Sequence, residues 1–232
     1  MAPGFVAAVP LAPNRLGMFP VGAVAEPDRA MLEAVLSATH ARIADQWDVG
    51  LARGELFWVT LWQAGQPNGS KEFPIDRALD LWVRKIVAAC YPNDDVVLDG
   101  YGFTVNPVAS RAQEWHVDYH RHYSTLFIPM TTLTPDNALQ YVAMSDAIPD
   151  DVYAGAARNP SDIDFDMLLA GCAAVQVCQC IARPFTILKM DFGVIHRGVG
   201  NRGREPRIMF SISVRRADAP LGPAEPVVAS MR

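Results

Sequence analysis

His116-Val117-Asp118 sets an imidazole and a carboxylate two residues apart. In an extended segment successive side chains point to opposite faces, so these two share one. Side by side they make two thirds of a metal site. A third donor, His196, comes late in the chain, after Asp191-Phe192-Gly193. Two imidazoles and one carboxylate on one side of a redox metal leave the opposite positions open for reacting ligands. The pair alone is a short motif, and a chain with five histidines and 25 acidic residues produces His-x-Asp/Glu easily. Its weight comes from what surrounds it.

Other polar groups cluster near the pair. His120 would share the face of His116 in a strand, and His122 follows it; both are expected near the mouth of the site, as substrate contacts or as ordinary polar loop residues. Tyr141 and the acidic stretch from Asp146 to Asp166 are expected to close over a substrate. Trp115 and Tyr119 read as packing residues, and His40 as a structural residue on a helix. A zinc hydrolase fits poorly: His-Val-Asp-Tyr-His-Arg-His lacks the zinc spacings, and no Glu sits between a ligand pair as general base.

The elements that must position these groups fall into two parts. After an extended arm, Pro27-Asp28 marks a helix start. Met31, Leu32, Val35, Leu36, Ile43 and Trp47 continue at helical spacing, with Gly50 expected to end the helix. A strand is expected over Glu55 to Trp62, and a second helix over Ile75 to Cys90 with Leu79, Trp82, Val83, Ile86 and Val87 on its apolar face. From Val96 the chain turns to short strands: Val96 to Leu98, Tyr101 to Val105, Gln113 to Tyr119, Ser124 to Thr132, Leu139 to Met144, Ile181 to Met190, Val194 to His196 and Arg207 to Arg215. Met167 to Val177 reads as a short helix. The fold class is therefore mainly β with flanking helices: a jelly roll, or double-stranded β-helix, packed against N-terminal α-helices. One domain is expected, with residues 1–95 as helical support, 96–216 as the jelly-roll core carrying an insertion over 145–180, and 217–232 as a surface or disordered tail.

Composition narrows the partners. Half of the 232 residues are apolar, enough for a sizeable core, and the net charge of −5 comes without a basic stripe. Nucleic acid is not the expected partner. No apolar run is long enough to span a bilayer, and the proline-broken N-terminus lacks the basic region of a signal peptide. The four cysteines, Cys90, Cys172, Cys178 and Cys180, read as free thiols, with Cys178-Gln179-Cys180 too tight for an ordinary disulfide; a cytoplasmic protein is expected.

The ordered set His116-x-Asp118, His196 and Arg207 resembles the Fe(II)/2-oxoglutarate-dependent oxygenases, and within them the phytanoyl-CoA dioxygenase-like family. Similar stretches are Gln113-Glu-Trp-His-Val-Asp118, Leu126-Phe-Ile-Pro-Met130, Asp136-Asn-Ala-Leu-Gln-Tyr141 and Phe185 to Gly193 leading to His196. The resemblance covers Tyr101 to Val214. It implies Fe(II) held by His116, Asp118 and His196, 2-oxoglutarate as co-substrate with Arg207 on its distal carboxylate, and O₂ as oxidant, with ascorbate as an in-vitro aid. A guanidinium suits that carboxylate because it binds it as a fork with charge-assisted hydrogen bonds. The implied activity is hydroxylation or a related oxidation of a small organic substrate, a secondary metabolite or amino-acid-like compound, with release of succinate and CO₂. The carboxylate at Asp118 argues against the related halogenases, which lack it. The chain departs from the family at Met209, where many relatives carry Ser or Thr; Thr125 and Tyr101 are the candidate hydroxyls for that second carboxylate contact. The alternative is a cupin-like metal-binding protein, or a cupin dioxygenase that uses no 2-oxoglutarate.

Overall fold

Alternation along the last long strand shows how the chain is layered. The computed structural model describes residues 6–7, 17–65, 73–74, 76–118, 122–143, 145, 148–157, 163–172, 175–220 and 228–230. Their elements, in order, are β1 (Val6–Ala7), β2 (Met18–Ala23), α1 (Glu26–Arg42), α2 (Ala44–Arg53), β3 (Phe57–Gln63), α3 (Arg77–Cys90), β4 (Val96–Asn106), β5 (Tyr123–Pro129), β6 (Leu139–Ala143), α4 (Asp150–Ala156), α5 (Phe165–Gly171), β7 (Gln176–Cys180), β8 (Thr186–Met190), β9 (His196–Gly198), β10 (Arg207–Arg216) and β11 (Val228–Ser230). Among the described residues they form an eight-stranded sheet, β1-β2-β8-β5-β10-β4-β3-β11, and a three-stranded sheet, β7-β6-β9. The pairings are antiparallel.

On β10, Phe210, Ile212 and Val214 face outward into a core with Leu32, Trp47, Leu79, Trp82, Val83 and Ile86 of the helices. Met209, on the opposite face, packs inward with Phe127, Leu139, Leu188, Met190 and Val194, between the two sheets. One strand thus serves a structural layer and an interior. Fully burying a side chain such as Phe210 contributes about 1.5–3 kcal/mol. The large sheet with helices on one face and the small sheet on the other is the expected jelly roll.

The helical region follows the sequence pattern with one correction. The first helix does not run on to Gly50. The backbone breaks at Ile43 (φ −121°), and α2 ends at Gly54 in the left-handed region (φ 66°). Gly50 lies inside α2 because a Cβ there would stand 2.7 Å from the Phe57 ring. α3 starts where Asp76 accepts hydrogen bonds from the Ala78 and Leu79 amides.

Several strand boundaries also differ. β4 is a single strand through Gly100, with an irregularity that leaves Asp99 beside Arg215 at 3.2 Å. Gly102 is required there, since a Cβ would stand 2.0 Å from the Val59 carbonyl oxygen. Residues 113–118 form only an isolated bridge to β9, with the backbone bending at Trp115 and Asp118, not a strand. The expected insertion over 145–180 holds α4 and α5, but its last residues return to the jelly roll as β7. The 217–232 tail likewise supplies β11, which pairs with β3. Cys90, Cys172, Cys178 and Cys180 are free thiols; burial pushes Cys90 up to about 11 and Cys180 to about 12. No helix among the described residues is long and apolar enough to cross a membrane.

Candidate metal centre

His116 and His196 oppose each other in the isolated antiparallel bridge. Each amide donates to the other's carbonyl, at 3.0 and 2.9 Å. This hydrogen-bonded pair sets the two rings side by side, 4.4 Å between centroids. Asp118, two residues past His116, brings its carboxylate to the same place: Oδ1 lies 3.5 Å from His196 Nε2 and 4.0 Å from His116 Nε2. Among the described residues these three form the only His/Cys/Asp/Glu group with ligand atoms all within 4.8 Å of one another.

The hydrogen bonds behind the rings settle the tautomers. His116 Nδ1 lies 2.8 Å from the Glu114 carbonyl oxygen and His196 Nδ1 3.0 Å from that of Val194. A carbonyl only accepts, so Nδ1 carries the proton in each ring. Both Nε2 atoms then point a lone pair toward Asp118, the arrangement that outer hydrogen bonds impose on metal-binding histidines. Burial holds His196 below its ordinary pKa; the Asp118 charge opposes that shift without cancelling it. The imidazole is neutral at pH 7, as coordination requires.

Thr125, on β5, donates from Oγ1 to Asp118 Oδ2 at 2.6 Å. Its hydroxyl orients the Asp118 carboxylate. The hydroxyl proton is therefore committed to Asp118. Tyr101 is corrected more strongly. Paired with Ile212, it lies on the helix-packed face, where it stacks on Trp62. It does not share the interior with Arg207.

Arg207 is fully buried at the start of β10, on the same inward face as Met209. Its Nη1 donates to the Asn137 carbonyl at 2.7 Å and the Ala138 carbonyl at 3.2 Å. Nε and Nη2 are buried and have no hydrogen-bond partner among the described residues. Burial lowers its pKa to about 10, which still leaves a cation at neutral pH. Gly198, two residues beyond His196 on β9, lies against this guanidinium: a Cβ there would stand 2.6 Å from Nη2. The cation and the three-donor cluster therefore lie along one strand. Met209 is buried in the interior, and Ser211 is hydrogen-bonded to Thr104 at 2.9 Å.

Tyr141 pairs with His196 across β6 and β9, so it shares the inward face, and its ring lies against Gly17. His122 is exposed in the turn before β5. His120 and Tyr119 fall outside the described residues. The acidic insertion is placed differently from expectation. Trp115 and Val117, alternating with His116 and Asp118, pack with Ile148, Ala156, Ile163 and Leu168 of the insertion, and Trp115 stacks on Phe165 at 4.5 Å. Its described residues support, from behind, the segment that carries His116 and Asp118.

No protein-family model and no curated protein matches the chain. Solved structures do resemble it. EvdMO1 superposes with a TM-score of 0.58 at 15% identity, over 88% of this chain and 48% of that one, so the chain spans about half of that protein's length. SnoK, a non-haem alpha-ketoglutarate-dependent carbocyclase from nogalamycin biosynthesis, gives 0.61 at 12% identity, over 92% of this chain and 91% of SnoK. The epimerase SnoN, solved with Fe3+, alpha-ketoglutarate and nogalamycin RO, gives 0.59 at 17% identity, over 87% and 79%. At such identities the likeness establishes the fold, the jelly roll of these non-haem enzymes.

Proposed function

We propose that the chain is a non-haem Fe(II)/2-oxoglutarate-dependent oxygenase acting on a small organic substrate. The observation that carries this reading is Arg207. A fully buried cation with two unpaired donors is costly unless an anion completes it. Here it lies one strand step from a His/Asp/His cluster, as a 2-oxo diacid chelated at a metal would need.

The donor set fits Fe(II): two neutral imidazoles and a carboxylate leave room for a chelating 2-oxo acid and for O₂. Bound together there, iron and 2-oxoglutarate supply the activation of dioxygen, with succinate and CO₂ as co-products. The chain's own residues do the positioning. His116 and His196 present Nε2, and Thr125 fixes Asp118. Arg207 anchors the distal carboxylate. Phe127, Leu188, Met190 and Met209 keep the interior apolar and dry. Tyr141, beside His196, is the described residue best placed to meet a substrate. We assign an oxidation of the hydroxylation type, on a secondary metabolite or amino-acid-like compound. SnoK and SnoN carry out carbocyclisation and epimerisation on this fold, so product analysis decides the outcome.

Succinate formation from 2-oxoglutarate, with Fe(II) and ascorbate, tests the proposal. Turnover that requires Asp118 and Arg207 is expected; succinate formation that survives both Asp118→Ala and Arg207→Met would refute it. Met209, where a carboxylate-binding hydroxyl is common, favours the second reading, a cupin-like metal protein without 2-oxoglutarate. That reading gains if O₂ uptake is independent of the 2-oxo acid.

A further inference from the structure

Ser145 is fully buried just past the end of β6, and its hydroxyl bonds in two directions. It donates to the Val142 carbonyl at 2.6 Å and accepts from the Ile195 amide at 3.1 Å. That amide belongs to the same peptide unit as the Val194 carbonyl, which accepts from His196 Nδ1 at 3.0 Å. A trans peptide is planar, with its N–H and C=O pointing opposite ways, so whatever fixes one end fixes the other. The next peptide unit is held by backbone: the Ile195 carbonyl accepts from the Val142 amide at 2.8 Å, and the His196 amide donates to the His116 carbonyl at 2.9 Å. The unit that carries the acceptor for the His196 ring is held by a side chain, and that side chain is Ser145.

We infer that Ser145 is a positioning residue for the metal centre: through the Val194–Ile195 peptide it fixes the direction in which His196 presents Nε2. This rests on the metal reading above and deepens it. Ser145 does for His196 what Thr125 does for Asp118, one bond further out. The chain runs from the Val142 carbonyl through the Ser145 hydroxyl and the peptide to the imidazole, and each bond in such a chain polarises the next. A carbonyl strengthened in this way holds the Nδ1 proton more firmly and makes Nε2 a better donor to a cation. Loss of the hydroxyl leaves the buried Ile195 N–H without its acceptor, a cost that the peptide relieves by turning. The Val194 carbonyl then leaves Nδ1, and the ring loses its alignment with Asp118 and His116.

The test uses the full chain, metal-free and with Mn(II). Ser145→Ala should weaken Mn(II) binding in calorimetry by roughly tenfold, the low end for losing an outer partner of a metal-binding group. In metal-free protein with isotope-labelled histidines, the His196 Nδ1–H resonance, identified by its absence in His196→Gln, should lose its protection from exchange in Ser145→Ala, while that of His116 is unchanged. Tyr91→Phe is the control: it removes a buried hydroxyl that bonds Ser124 at 2.5 Å, and it should lower the thermal stability with Mn(II) affinity unchanged. Wild-type Mn(II) affinity in Ser145→Ala, an unchanged His196 resonance, or an equal loss of affinity in Tyr91→Phe would each overturn the inference. If Ser145→Ala fails to fold by its thermal melt, Ser145→Cys, which keeps the size but offers only a weak acceptor, takes its place with the same expectation. If wild type binds no Mn(II), the metal reading itself falls, a result distinct from metal binding that ignores Ser145.

Discussion

The two faces of β10 divide the labour of the molecule. Outward, Phe210, Ile212 and Val214 meet helices and other aromatics: Phe210 lies 5.3 Å from Phe103 and 6.1 Å from Trp82, centroid to centroid. Inward, Arg207 is a buried charge without a counter-ion among the described residues, and Ser211 pairs with Thr104. The outward residues earn their place by apolar area and close packing. Arg207 is a poor choice for stability, because a buried uncompensated cation destabilises the fold, whereas Ser211 is satisfied by Thr104. Burial alone therefore does not separate structure from function here. The relevant difference is whether a buried group is satisfied by the protein itself.

That contrast can be broken from either side. Asp118→Ala, on the inward side, should take substrate turnover to background while changing the unfolding free energy of metal-free protein by about 1 kcal/mol or less, since the carboxylate is partly exposed. Phe210→Ala, on the outward side, should cost about 3–5 kcal/mol in denaturant unfolding, a large share of a typical domain stability of about 5–15 kcal/mol. Any folded fraction should keep its metal site. Thr125→Val removes only the hydrogen bond behind Asp118 and should weaken metal binding by roughly 10- to 100-fold, as loss of an outer-sphere partner does. If Thr125→Val binds metal as wild type does, the hydroxyl is a packing group and nothing more.

The smallest effect concerns pH. Burial lowers the folded-state pKa of His196 from 6.5 to about 4. Between these values the unfolded chain binds a proton that the folded chain does not, so stability rises with pH across that window. The metal-free protein should therefore be at full strength above pH 6.5, as far as His196 is concerned, and lose stability as pH falls toward 4. His196→Gln should flatten that part of the curve in an unfolding series.

The residues that can bind metal were legible because side-chain parity does not need a full strand. His116 and Asp118 share a face although residues 113–118 form only an isolated bridge. The same parity carries a further signal: Trp115 and Val117 alternate with His116 and Asp118, so whatever packs on them lies behind the cluster, and that is the insertion. Tyr101 was misplaced because its facing depends on its partner, Ile212, and pairing across strands is a tertiary fact. Thr125 reads from the sequence as a candidate hydroxyl for the co-substrate carboxylate; its bond to Asp118 joins two different segments and cannot be read locally. β7 was missed because Met167 to Val177 continues the apolar spacing of α5, which hides a short alternating strand, Gln176-Val-Cys-Gln-Cys180. The helical support was legible except at Ile43, where no glycine or proline marks the break.

On the proposed function, the unpaired guanidinium of Arg207 awaits a carboxylate delivered from a metal held by His116, Asp118 and His196. The most direct measurement is calorimetric titration of 2-oxoglutarate into wild type and Arg207→Met, each with and without Mn(II). The expected result is binding that needs the metal and weakens in Arg207→Met by about 2–5 kcal/mol, as when one partner of a buried charge pair is removed, with the variant no less stable than wild type. Equal binding by the two proteins, or binding indifferent to Mn(II), would contradict it.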